Sequence, residues 1–443
     1  MNIKKILISL IVIIVMIGIA AFIAFQLWMN KTKKVTRKEV VTEVNFLPPE
    51  SEIPHIDTTR VNANSQWRGE YRDGVYNETG LLQEWAAEGP ELLWFCEELG
   101  DGYTSPAIAS QKIYITGLYA DDLVLSVFDL NGKLLIRKVV GKEWNDSYPG
   151  ARSTVNVNNG KLYIYNSLGH LHCLDEKTLN LIWKKDVIND FDGRNIMWGM
   201  TESPLIVGDK ILITPGGRTY NMVALNKNTG ELIWYSGGEG TTSSYCSPLY
   251  IGGYSFPIIV TNTEKHIIAI NADTGEKLWS HPQTNSNNIH PNTPLYSDGM
   301  IFSTTGYGGG TIMLRLKDGG KSIEQVWNNN VDNQIGGAVK IGDYIYTSGH
   351  RNRGFYCINW NTGAIKYKVN QISPSAVIAA GGMLYAYSDR GEMALVKPNP
   401  DKFELVSSFK VTLGTNQHWA HPVIHDGVLY IRHGDVLMAY QVK

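Results

Sequence analysis

The chain has 443 residues, and its 40 Lys and Arg against 42 Asp and Glu leave a formal net charge of −2. Near-neutrality excludes the strongly basic surface that binding to nucleic acid requires, so no nucleic-acid partner is expected. Twelve Trp and 23 Tyr point instead to a chain rich in β-structure.

Residues 6–29 carry no charge, and as a helix they would extend about 36 Å, enough to cross a bilayer. The run is longer than a typical export-signal core and has no small-x-small site with a polar start at its end. The reading for residues 1–30 is therefore a transmembrane helix that anchors the chain, with a cleaved export signal as the alternative. Lys4 and Lys5 precede the run while Lys31, Lys33, Lys34, Arg37 and Lys38 follow it. Taken alone, that charge count would put the rest of the chain in the cytoplasm. Residues 31–65, with PPESEIP among them, read as a polar tether.

From residue 66 onward one phrase recurs eight times, starting at Ser105, Ser153, Ser203, Ser247, Thr293, Gly337, Ser375 and His421. Each copy runs like SPLIVGDKILI or HPVIHDGVLYI: a small or turn residue, a strand, a tight Gly turn and a second strand. Most copies continue in the manner of VALNKNTGELIW or IAINADTGEKLW, where Asn/Asp-x-x-Thr-Gly turns one apolar strand into another that ends in an aromatic residue. Four strands every roughly 45 residues is the period of a propeller blade. The predicted fold is an all-β, eight-bladed β-propeller of four-stranded blades over residues 66–443, one closed unit rather than several domains.

Trp183, Trp234, Trp279 and Trp327, with Tyr367 in their place later, recur on the outer strand, where a flat ring can wedge between neighbouring blades. The last repeat stops one strand short. ELLWFCEEL, around Trp94, has the character of an outer strand and is expected to complete that blade, which removes the open sheet edges.

The turns on one face are short and uniform, such as VGDK, HDGV and NKNTG, whereas the loops on the other face vary: KEWNDSYPGARS, INDFDGRNIMWGMTES, GGEGTTSSYCS, QTNSNNIHPNT and GTNQHWAH. Variable aromatic loops on a rigid scaffold are where binding resides. Tyr103, Arg152, Trp198, Glu202, Tyr245, Asn292 and Trp419 are predicted to ring the mouth of the channel on that face, and the GHRNRG loop adds His350, Arg351 and Arg353. A protein partner or small ligand is expected there. The alternative for Arg152 and Glu202 is an ion pair between blades.

Three features invite other chemistry. GYGGG at 306–310 lacks the Gly-Lys-Ser/Thr and helix of a phosphate loop and reads as a hairpin. His421 and His425 share a strand face, but about 13 Å of strand separates them, so no metal site is expected. No nucleophile elbow, Ser-His-Asp order or paired-carboxylate setting stands out, so no catalytic residue is assigned.

The ALNKNTGELIW-type phrases resemble the repeat of the pyrroloquinoline quinone (PQQ) propeller superfamily, which holds quinoprotein alcohol dehydrogenases and the non-enzymatic BamB outer-membrane assembly factors. WRGEYRDGVYNETGLLQEW followed by GPELLW resembles the start of membrane-tethered or exported bacterial members. The resemblance implies export, which outweighs the charge count, and hence a membrane-anchored propeller that is periplasmic or otherwise extracytoplasmic. Enzymes of the superfamily carry adjacent cysteines in a disulfide against the quinone, carboxylate and amide ligands to calcium, and an Asp base. Here Cys96, Cys173, Cys246 and Cys357 are far apart in sequence. The expectation is thus a tethered binding or scaffold module with no cofactor, membrane-bound through residues 6–29. The alternative is an exported alcohol dehydrogenase-like oxidoreductase that uses PQQ with calcium. Cys173 and Cys357 fill the slot taken by Ala224 and Ala269 elsewhere and are read as small core residues.

Overall fold

The structure, a computed structural model, describes residues 64–237 and 239–443. The apolar run at 6–29 and nearly all of the tether lie outside the described residues. Among the described residues no helix is long and apolar enough to cross a membrane.

Eight sheets follow one another along the chain, each built on four antiparallel strands that are consecutive in all but the last, and the seventh takes up a fifth, parallel strand at residues 75–76. In blade 1 the strands are Ala107–Ala109, Lys112–Tyr119, Asp122–Asp129 and Leu134–Lys142; the innermost is short and fully buried, and the outermost is half exposed. Blade 8 combines Val423–His425, Val428–His433 and Val436–Gln441 with Leu92–Cys96, whose Trp94 lies opposite Ala439. The ring therefore closes with the N-terminal strand as the sequence predicts. Closure joins the two ends of the repeat array by hydrogen bonds.

The recurring residues have specific tasks. In blades 2, 3, 4 and 6 the Asn or Asp of the outer turn accepts backbone N–H groups two and three residues ahead, as Asn226 does from Asn228 and Thr229, and Asn359 from Asn361 and Thr362. The outer-strand tryptophans each donate Nε1–H to a carbonyl of the following blade: Trp94 to Leu130, Trp183 to Lys227, Trp234 to Ala272, Trp279 to Gly320 and Trp327 to Trp360. At most of these seams the ring lies against a turn glycine. A Cβ on Gly132, Gly230, Gly275 or Gly363 would sit 2.4–2.8 Å from a tryptophan carbon, and each of these residues has positive φ. The Thr-Gly of one blade is thus fixed by the Trp of the blade before it. Opposite each Trp stands a residue that leaves room for the ring: Cys173, Ala224, Ala269 and Met313, with Cys357 opposite Tyr367. All four cysteines are free thiols, and Cys173 and Cys357 are completely buried as small core residues.

Hydroxyl residues at the openings of the first four phrases link blades near the axis. Ser105 N donates to Thr154 Oγ1, Thr154 N to Ser203 Oγ, and Ser203 N to Ser247 Oγ. The hydroxyl is what the position needs. In the second blade it comes from Thr154, one residue beyond the predicted start at Ser153.

Residues 64–76 form a feature outside the repeats. They run into the central channel, turn, and leave along the inner strand of blade 7, where Val75 and Tyr76 pair in parallel with Ala379 and Ala380. This plug touches every blade. Asn64 O accepts from Ile108 N and Ser65 O from Val157 N, while Asn64 Nδ2 donates to Ile424 O. Arg72 donates to the carbonyls of Ser203, Pro204 and Pro248. Trp67 Nε1 donates to Thr293 Oγ1, and Arg68 donates to the carbonyls of Ala338, Val377 and Asp73. Both arginines are buried and adopt left-handed backbone, with φ of 58°. Burial lowers Arg68 to about 10 and Arg72 to about 9, which still leaves both charged at neutral pH. Gly337 has φ of 94°, and a Cβ on it would lie 2.6 Å from Val377 N and 3.0 Å from Arg68 Nη1, which accounts for Gly where most other copies have Ser or Thr.

Beyond the plug, residues 78–96 cross to the outside of the ring. Trp85 packs on Tyr385 and Phe409, and Phe409 on Tyr440, so these rings fill the seam between blades 7 and 8.

Candidate functional site

Trp67 tops the plug and forms the floor of a bowl of about 210 Å³ at the loop-rich mouth of the channel. Its ring lies 4.5 Å from that of His421. Arg68 Nη1 is 2.9 Å from His421 Nδ1, and Ile335 O is 3.1 Å from Nε2. A guanidinium can only donate, so Nδ1 accepts and the ring proton sits on Nε2, facing the carbonyl. Burial, followed by the charge of Arg68, pushes His421 down to about 3 and keeps it neutral. His421 therefore belongs to the floor, while His425 meets Asn64 at a different depth.

The wall is aromatic. Tyr103, Tyr148, Trp198, Tyr245, Tyr307 and Trp419 surround the opening. Trp419 packs between Tyr103 and Tyr148, with ring centroids 5.2 Å away on each side, and Trp198 packs on Tyr245 at 6.2 Å. Most of the hydroxyls are occupied: Tyr103 donates to Gln417 Oε1, Tyr245 accepts from Trp198 N, and Tyr307 accepts from Gln334 Nε2. Tyr148, Tyr245 and Tyr307 have φ of 51°, 73° and 55°. Left-handed backbone costs a bulky residue about 1–2 kcal/mol, and nothing in a blade requires it at these places. Each of the three points its ring into the bowl.

One charge interrupts the wall. Arg152 lies 5.7 Å from the Tyr103 ring centroid and donates to the carbonyls of Gly150, Tyr148 and Ser147 in its own loop. Glu143 is buried close enough to feel this charge, but burial raises it to about 7, and one of its oxygens accepts from Trp144 N and Ser167 N.

Of the predicted residues, Tyr103, Arg152, Trp198, Tyr245 and Trp419 line the bowl; Glu202, Asn292 and His350 do not. Glu202 is fully buried below the rim. It accepts from Thr214 N, is raised to about 7 by burial, and the charge it feels is that of Arg72. The Arg152–Glu202 pair is therefore absent: the two residues start neighbouring blades at different depths, and each has another partner. Asn292 is buried and donates to the carbonyls of Thr304 and Asn333, joining blades 5 and 6. His350 stands behind the wall, its ring 4.8 Å from that of Tyr307 and its Nδ1 accepting from Tyr307 N. Asp332, wholly buried, accepts from Gly308 N, Arg351 N and Asn352 N and so fixes both loops.

Trp67, Tyr148 and Tyr307 escaped the sequence reading. Tyr148 stands in a loop already singled out, and Tyr307 lies within GYGGG, which does form a hairpin turn, so the signal in both cases was a large ring inside a turn sequence. Trp67 precedes the repeats and had no periodic marker. On the opposite face Glu78, His425 and Asp426 bring their ligand-type atoms within 4.8 Å of one another, and Asp426 N donates to Glu78 Oε1. This contact ties the segment leaving the plug to the first turn of blade 8.

Comparison with known proteins agrees with this architecture. Residues 121–249 and 180–400 match the family described as outer membrane protein assembly factor BamB. The chain is 23% identical to the outer membrane protein assembly factor BamB of Shewanella oneidensis over 278 residues, 57% of this chain and 65% of that protein. It is 27% identical to the quinoprotein ethanol dehydrogenase of Pseudomonas aeruginosa over 145 residues, 30% of this chain and 23% of the enzyme. The matches thus span less than two thirds of either relative. Among solved structures, BamB from Moraxella catarrhalis superposes with a TM-score of 0.61 at 13% identity, covering 80% of this chain and 99% of that one. Quinohemoprotein alcohol dehydrogenase from Comamonas testosteroni superposes with a TM-score of 0.62 at 14% identity, covering 87% and 82%. At such identities the superpositions establish the fold alone. On the sequence match over more than half its length, the chain belongs to the BamB family of PQQ-like β-propellers.

Proposed function

We propose that this propeller is a non-catalytic binding module, held at the outer side of a membrane by residues 6–29, that receives a segment of a protein partner at its loop-rich face. The observation that carries the reading is the bowl: strained aromatic residues converge on the mouth of a channel whose depth is filled by the chain itself. A protein interface gains most from such buried rings at its centre. The relatives named as outer membrane protein assembly factors support a partner-binding role outside the cytoplasm.

The alternative, quinone-dependent alcohol oxidation, draws support from the dehydrogenase relatives. The residues present fit that cofactor poorly. The four thiols are not adjacent and three are buried, the axis holds the guanidinium groups of Arg68 and Arg72, and the buried Glu202 is already bonded to Thr214 N. Two fixed positive charges disfavour a divalent cation beside them.

The test is photocrosslinking in cells with benzoylphenylalanine at position 148 or 198, compared with positions 228 and 298 in the turns of the opposite face. Capture of a defined protein from the first pair alone supports the reading. Capture from the second pair alone, or alcohol oxidation by the purified protein that depends on added PQQ and calcium, overturns it.

A further inference from the structure

The chemistry of the bowl narrows what can enter it, given the reading above that its face binds a partner. Walls built from seven of the eight blades enclose the opening, so a projecting side chain can enter where an extended strand cannot. The wall offers ring faces and edges. Tyr103 donates to Gln417 and the hydroxyls of Tyr245 and Tyr307 accept from Trp198 N and Gln334 Nε2, so what the wall has left is chiefly O–H donors, not the paired donors and acceptors that the many hydroxyls of a sugar need. A ring cage of this kind would suit a cation, but Arg152 stands within it and would repel one. What remains is a planar apolar group accompanied by a negative charge.

Arg152 is oriented for that task. Its hydrogen bonds go only to carbonyl oxygens of residues 147–150, which hold the guanidinium in place without neutralising it. The carboxyl that feels it, Glu143, is itself held by two backbone N–H groups at the base of the same loop. An incoming carboxylate would therefore find a fixed donor beside ring faces already packed against one another, as Trp419 is against Tyr103 and Tyr148.

We propose that the bowl is a receptor for one aromatic side chain of the partner, with an adjacent Asp or Glu carboxylate meeting Arg152. Recognition then rests on a ring and a charge side by side, not on the main chain of the partner.

The test uses the full-length protein in detergent and three probes of the same shape: naphthalene-2-carboxylate, 2-naphthamide and 2-naphthyltrimethylammonium, each titrated by ligand-observed NMR. The carboxylate should bind at least about tenfold more tightly than the amide, as a charge-assisted bond predicts, with the cation weakest. Arg152→Gln should bring carboxylate and amide to within about twofold, Arg152→Lys should retain the preference, and Trp419→Ala should weaken all three probes. Equal binding of carboxylate and amide by the unaltered protein, no binding of any probe, or a preference that survives Arg152→Gln would overturn the proposal. If photocrosslinks form at the rim while the probes fail, the partner-binding reading stands and this inference falls; if the carboxylate binds while the rim captures nothing, the bowl is a small-molecule site and the partner reading falls.

Discussion

The two halves of the central channel solve the same geometric problem in opposite ways. An eight-bladed ring leaves a hole along its axis, lined by backbone groups at the starts of the inner strands. In the deeper half the chain fills that hole, and the guanidinium groups of Arg68 and Arg72 are spent on carbonyls of blades 3, 4, 6 and 7. In the half nearest the loops the hole stays open, its walls are rings, and Arg152 bonds only to its own loop. Arginine thus serves as a strut at Arg68 and Arg72 and, in the proposed reading, as a recognition group at Arg152, and the difference lies in whether its partners belong to other blades.

The largest expected effect comes from removing the strut and the closing strand together. A chain that starts after Cys96 loses the plug, the fourth strand of blade 8 and Trp85 from the rings that seal the seam between blades 7 and 8. It should appear as aggregates rather than monomer in size-exclusion chromatography, because two sheet edges and a polar channel are exposed at once. A soluble monomer of native β content would show that the ring closes without its N-terminal segment.

Within the intact chain, Arg72→Met should lower stability by about 3 kcal/mol or more in denaturant unfolding, since three buried carbonyls lose their donors. Arg152→Met should lower it by about 1 kcal/mol at most, because the carbonyls it leaves are near the surface. Equal losses for the two variants would erase the distinction between strut and recognition group.

Glu202 sharpens the comparison through pH. Burial raises its carboxyl to about 7 from the ordinary 4.5, so the native state holds the proton that the unfolded chain releases. Its contribution is complete below about 4.5 and is lost as pH rises through about 7. Glu202→Gln keeps an acceptor for Thr214 N and removes the titration. The stability of this variant relative to the parent should therefore rise with pH across that window, by up to about 1.4 kcal/mol per pH unit. A flat difference would mean that Arg72 holds Glu202 ionised.

What could be read from the sequence follows the same division. The blades were legible because eight copies of one phrase repeat a period, a turn chemistry and a Trp position, and even the closing strand at Trp94 betrayed itself as an outer strand without its first three. The plug was not legible. It occurs once, and nothing in the charges of Arg68, Glu70, Arg72 and Asp73 within WRGEYRDG marks the two arginines as buried inside the channel. For the bowl, position along each repeat gave the angular place of Tyr103, Arg152, Tyr245 and Trp419 around the axis but not their height. That is why Glu202 and Asn292, equally placed in the repeat, fall below the rim as links between blades. Tyr148 and Tyr307 reach the bowl from turns by a left-handed residue, a conformation that periodicity does not encode.

The smallest expected effect on the fold is that of Trp419→Ala. This ring is half-buried and packs on Tyr103 and Tyr148 at the rim, while the blades beneath it are sealed by other residues. An aromatic contact of this kind is worth about 0.5–1.5 kcal/mol beyond the area it covers, so the melting temperature should fall by a few degrees at most. Binding should respond differently. Removing the ring takes away the face against which an incoming side chain would stack and leaves Tyr148, already in left-handed backbone, without its packing partner. Loss of more than about 1 kcal/mol in partner affinity with little loss of stability would place Trp419 at a contact. A large fall in melting temperature with affinity unchanged would instead assign the aromatic wall to holding loops together, and the rim would then be the upper end of the scaffold.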